Sequence, residues 1–121
     1  MNRAEAFVRL LAEKYSALQP LLAEHLDNNF GEVLPHVFFE DVTSWIVLLT
    51  TEARTDPDSK RQLADVLEHL EEAYLTGDEG LENLLCASFL ESLPGREEPG
   101  GEVRGMLGKT LRAKLRAIEL G

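Results

Sequence analysis

Asp65, Glu68, His69 and Glu72 are the residues whose types and spacing come nearest to chemistry in this 121-residue chain. Positions three and four apart share a helix face, so these side chains would be offered from adjacent turns. Three carboxylates and an imidazole form a donor set that a divalent cation accepts. Carboxylate-bridged metal bundles, however, draw Glu-x-x-His from each of two helices and a further Glu from two more, all aimed into the core. No glutamate stands three residues before His25, His36 or His69, so His69 reads as a boundary residue and no metal is expected. Catalysis has no better footing. A general base needs a neighbour that tunes and orients it, and Ser16, Ser44, Ser59, Ser88 and Ser92 lie in no nucleophile elbow. Gly100 and Gly101 precede no Gly-Lys-Ser/Thr phosphate loop. The chain reads as non-enzymatic and without a cofactor.

Charge is the stronger signal. Between Gln62 and Val103 the acids Asp65, Glu68, Glu71, Glu72, Asp78, Glu79, Glu82, Glu91, Glu97, Glu98 and Glu102 are opposed by Arg96 alone. From Arg104 to Arg116 the sign reverses, through Arg104, Lys109, Arg112, Lys114 and Arg116. A formal net charge of −10 steers association and disfavours like-charged targets. Nucleic acid is therefore not an expected partner, despite the basic tail. The tail is expected to dock as an internal clasp on the acidic segment, or on that segment in a second copy. The residues assigned to a basic partner are Asp65, Glu68, Glu71, Glu72, Asp78 and Glu79.

Such surfaces need a scaffold, and apolar periodicity supplies one. Ala4, Phe7, Val8, Leu11, Tyr15 and Leu18 recur at helical spacing. Pro20 suits the first turn of a second helix, which Asn28 and Asn29 would end in a left-handed cap. A third helix begins between Pro35 and Asp41 and carries Phe38, Val42, Trp45, Leu48 and Leu49. Asp56-Pro57 starts a fourth and Gly77-Asp78 joins it to a fifth, Glu79 to Leu93, as a tight antiparallel hairpin. Residues 94–101, rich in Pro and Gly, read as a mobile link. Beyond them a basic helix over 102–120 is weakened by Gly105 and Gly108. The expected fold is all-α, a compact single domain over 1–121 with about five to six helices around a central hairpin. Cys86 is the only cysteine, no signal peptide or membrane span is visible, and the longest apolar run is Trp45 to Leu49. A cytoplasmic location is expected.

Two stretches carry a resemblance. Gly31-Glu32-Val33-Leu34-Pro35-His36-Val37-Phe38, with Asp41 and Trp45, and Glu82-Asn83-Leu84-Leu85-Cys86-Ala87-Ser88-Phe89-Leu90-Glu91 together resemble a group of small helical bacterial proteins of unknown function. The second is also similar to segments of immunity proteins that protect bacteria from secreted toxins. What the resemblance implies is an interaction module of immunity or antitoxin type that occludes a basic partner; it brings no catalytic residues. The alternative expectation is a self-associating structural or adaptor protein, a homodimer formed through helix faces.

Overall fold

The computed structural model describes residues 2–121. Among them the fold is all-helical: α1 (Arg3–Lys14), α2 (Gln19–Asn28), α3 (Pro35–Glu52), α4 (Pro57–Leu75), α5 (Glu79–Ser88), α6 (Val103–Met106) and α7 (Lys109–Leu120), with single 3-10 turns at Ser16–Leu18 and Leu90–Ser92. The count exceeds the expected five to six because the last basic segment is two helices rather than one. α3 lies against α1, α2, α4 and α5, and α7 lies against α4. No helix among the described residues is long and apolar enough to cross a membrane.

Local chemistry sets most boundaries. Asn2 caps α1 through the Glu5 amide at 2.7 Å, Asp56 caps α4 through the Asp58 amide at 3.1 Å, and Asp78 caps α5 through the Leu81 amide at 3.0 Å. Pro20, Pro35 and Pro57 all sit in first turns, where a missing N–H is harmless. α1 stops at Lys14 because Tyr15 is extended. That bend turns its ring toward Trp45, with centroids 5.3 Å apart.

The core is one cluster. Phe38, Phe39, Phe89, Leu84, Leu85 and Leu111 are fully buried within it. Buried polar groups are fastened by hydrogen bonds, His25 and Thr43 among them. The Leu34 amide donates to buried His25 Nε2 at 3.0 Å, and Thr43 Oγ1 donates to the carbonyls of Phe39 and Ser88 at 2.9 and 2.7 Å. α5 ends at Ser88 instead of running to Leu93. The Ser88 carbonyl is engaged by Thr43, while the Ser92 amide turns to Phe89 O in a 3-10 turn.

Residues 94–101 are wound into successive turns against α3, with Gly100 and Gly101 buried. The Gly95 amide donates to Glu98 Oε1 at 2.6 Å, and the Gly101 amide donates to the Glu98 carbonyl at 2.9 Å. Gly100 is required twice over: its φ is +81°, and a Cβ there would lie 2.5 Å from Val47 Cγ1. Arg104 ties this loop to the tail, donating to Pro94 O at 2.6 Å and to Glu119 at 3.1 Å.

Candidate functional site

The six acids assigned from sequence divide into two groups of three. Asp65, Glu71 and Asp78 are half-buried and hold the fold together. Asp65 accepts the Tyr15 hydroxyl at 2.6 Å and has Lys14 Nζ at 3.6 Å and His69 Nε2 at 3.8 Å. Tyr15 is buried, and that burial, followed by the hydrogen bond to Asp65 and its negative charge, lifts the phenol far above the ordinary tyrosine range. The same bond holds the Asp65 carboxyl below its usual value, aided by the charges of Lys14 and His69. A phenol so shifted remains a donor at neutral pH, so the pair fastens α1 to α4.

Glu71 performs the internal clasp, in a form the sequence reading did not foresee. Its carboxylate accepts the amides of Thr110 at 2.8 Å and Leu111 at 3.0 Å, the second and third residues of α7. α7 has no side-chain cap of its own, so a residue of α4 satisfies two of its orphan N–H groups and places a negative charge at the positive end of the helix. Burial pulls the Glu71 pKa upward, but the hydrogen bonds from Leu111 and Thr110 outweigh it and leave the carboxyl below its ordinary value. Gly108 makes room for this contact: a Cβ there would stand 2.5 Å from Glu71 Cδ. The helix expected over 102–120 breaks at Leu107–Gly108 for this reason, and Gly108 is extended backbone ahead of α7 rather than a weak point inside it. Val103, Leu107, Leu111 and Leu115 are buried and hold the tail to its own chain, while Lys109, Arg112 and Arg116 stay exposed. Asp78 caps α5 and lies 3.8 Å from Arg3 Nε.

Glu68, Glu72 and Glu79 remain exposed. Among the described residues no cationic group pairs with any of them. Glu68 borders a largely apolar groove of about 380 Å³ between α4 and the α6–α7 corner, lined by Leu63, Ala64, Leu67, Met106 and Gly108, with Lys60 and Glu71 also at its wall. The metal reading gains nothing, since no group of three or more His, Cys, Asp or Glu among the described residues is arranged to hold an ion.

One juxtaposition escaped sequence reasoning. His36 Nδ1 lies 3.1 Å from Ser88 Oγ, across 52 positions, a separation that no local motif signals. Ser88 is buried at the end of α5, and no carboxylate among the described residues hydrogen-bonds the ring to orient it, as a catalytic triad requires.

No curated protein and no solved structure matches this chain. A family model described as "Domain of unknown function (DUF7674)" matches residues 8–120. The chain therefore belongs to that family.

Proposed function

We propose that this chain is a non-enzymatic protein-interaction module that engages a basic partner through the outward acids of the α4–α5 hairpin. The observation that carries the reading is the division of the six carboxylates. Asp65, Glu71 and Asp78 serve the fold, whereas Glu68, Glu72 and Glu79 face solvent with no cationic partner among the described residues, Glu68 beside a largely apolar groove. Outward carboxylates, one of them at a largely apolar edge, suit a cationic protein surface: charge raises the rate of encounter and desolvated apolar contact sets residence time. The resemblance of Glu82 to Glu91 to segments of immunity proteins favours a bacterial immunity or antitoxin-type role, in which the basic partner is a nuclease-like toxin. A neighbouring gene encoding a secreted toxin would support it.

Pull-down from the native host at low and moderate salt, followed by binding kinetics with the recovered protein, tests the proposal. Reversing Glu68 and Glu72 to Lys is expected to lower the association rate by roughly tenfold or more at low salt, with the difference shrinking as salt rises. An association rate indifferent to both changes would count against it.

A further inference from the structure

We propose that the cleft between the 94–101 turns, α6 and α7 binds a compact anion of phosphate type, free or borne on a small molecule. The proposal stands apart from the reading of the acidic hairpin, and it uses the cations that docking of the tail leaves over.

The clasp at Glu71 is made with backbone amides, so it neutralises none of the tail's side chains. Arg104 is held by Pro94 O and Glu119. Arg112 and Arg116 are exposed, and with Arg96 they share a cleft of about 390 Å³, a size that holds a small molecule. Its charged lining is completed by Arg104, Glu102 and Glu119, while Leu115 contributes apolar wall. Both glutamates already have partners, Glu102 in Arg54 and Glu119 in Arg104. None of Arg96, Arg112 and Arg116 is paired with a carboxylate among the described residues. Three guanidinium groups without a counter-charge thus line one cleft of a chain whose formal net charge is −10.

This arrangement disfavours the isolated fold. Arg112 and Arg116 are one turn apart on α7, a spacing at which like charges repel, and Arg112 closes the first turn, where the helix dipole opposes a cation. Gly105 is an independent observation. It belongs to α6, and glycine is a poor helix former, yet its backbone is not left-handed and a Cβ there would meet no atom within 4 Å. Neither conformation nor packing requires glycine at this position, in contrast to Gly100 and Gly108. What the missing side chain leaves is open space on the cleft wall. Guanidinium forks match phosphate and carboxylate alike, but three of them suit an anion richer in oxygens and charge than one carboxylate. A phosphate group offers three acceptor oxygens and about two negative charges. The acidic surface disfavours a long nucleic-acid backbone, and it reaches a small anion less because exposed charges are screened beyond about 8 Å at physiological salt.

Titration calorimetry and amide-shift mapping of the full chain, at constant ionic strength, test the site with pyrophosphate, ADP and, as an uncharged control, adenosine. Pyrophosphate and ADP are expected to saturate and to perturb Arg96, Gly105, Arg112 and Arg116, and adenosine to do neither. Arg112→Ala and Arg116→Ala are each expected to weaken both anions by roughly tenfold or more. Gly105→Leu, which fills the cleft at unchanged charge and improves helix propensity, is expected to weaken ADP more than pyrophosphate. Tighter binding of ADP assigns the site to a phosphorylated organic molecule, and tighter binding of pyrophosphate to the inorganic anion; either supports the proposal. Failure of both to saturate at millimolar concentration overturns it. So does binding that survives loss of both arginines, or that maps outside the cleft. If the arginine variants melt early, Gly105→Leu decides, and unchanged ADP affinity in it overturns the cleft as the site. A duplex oligonucleotide that binds through these arginines more tightly than ADP overturns the proposal in favour of a nucleic-acid surface.

Discussion

Glu71→Ala is expected to destabilise the fold by about 2 kcal/mol, with the loss concentrated at α7. Two backbone donors depend on that carboxylate, the Thr110 and Leu111 amides. Leu111 is fully buried, so its amide cannot simply turn to water, and loss of a charged acceptor at a helix N-terminus removes the favourable dipole contact as well. Urea unfolding measures the total, and hydrogen exchange at Thr110 and Leu111 locates it. Acid should imitate the substitution. Because the folded carboxyl lies below its ordinary value of 4.5, its contribution is complete above that pH and disappears as pH falls through the folded value. Glu71→Gln retains one acceptor oxygen and should lose less than the alanine variant. An unchanged midpoint with unchanged exchange at both amides would show that α7 stands on its apolar contacts alone.

Phe39→Ala is expected to have the largest effect, about 3 to 5 kcal/mol. Its ring stacks on Phe7 at 6.4 Å and meets the edge of Phe89 at 6.3 Å, so one side chain joins α1, α3 and the end of α5. It is fully buried. Truncation leaves a cavity bordered by two aromatic rings that cannot both move in to fill it, which places the cost at the high end for core substitutions. A drop in the denaturation midpoint well below that of the parent is the expected outcome. A loss under 1 kcal/mol would mean that the three elements close up around the void.

Features written in neighbouring residues were legible before the fold was known. Asp56-Pro57, Gly77-Asp78 and Pro20 each carry their own cap or turn chemistry, and each stands where that chemistry puts it. The apolar stripes likewise gave the all-α class and most of the core. The misses share a physical cause, which is a bond made across long sequence separation. At the end of α5 the Ser88 carbonyl accepts from Thr43, 45 positions away, and the first turn of α7 is capped by Glu71 from α4. Nothing near Gly108 reveals that a glutamate side chain occupies the space its Cβ would need. Phe30 was missed for a different reason: the left-handed cap expected at Asn28 or Asn29 falls on it, with φ −127° at Asn29 and +55° at Phe30. Local propensity assigns the left-handed position to asparagine or glycine, and a departure from propensity at an exposed residue is invisible until the backbone is seen.

The acidic character of the hairpin is consequently two properties. Part of it is fastening, in which carboxylates accept a phenol and backbone amides; part is outward charge available to a partner. Urea unfolding of the six single alanine variants at Asp65, Glu68, Glu71, Glu72, Asp78 and Glu79 separates these most directly. Asp65, Glu71 and Asp78 are predicted to lose about 1 to 2 kcal/mol each. Glu68, Glu72 and Glu79 are predicted to stay within about 0.5 kcal/mol of the parent, or to gain slightly as like-charge repulsion on α4 is relieved. Six equal losses, or losses greatest at Glu68 and Glu72, would contradict the division on which the proposed function rests.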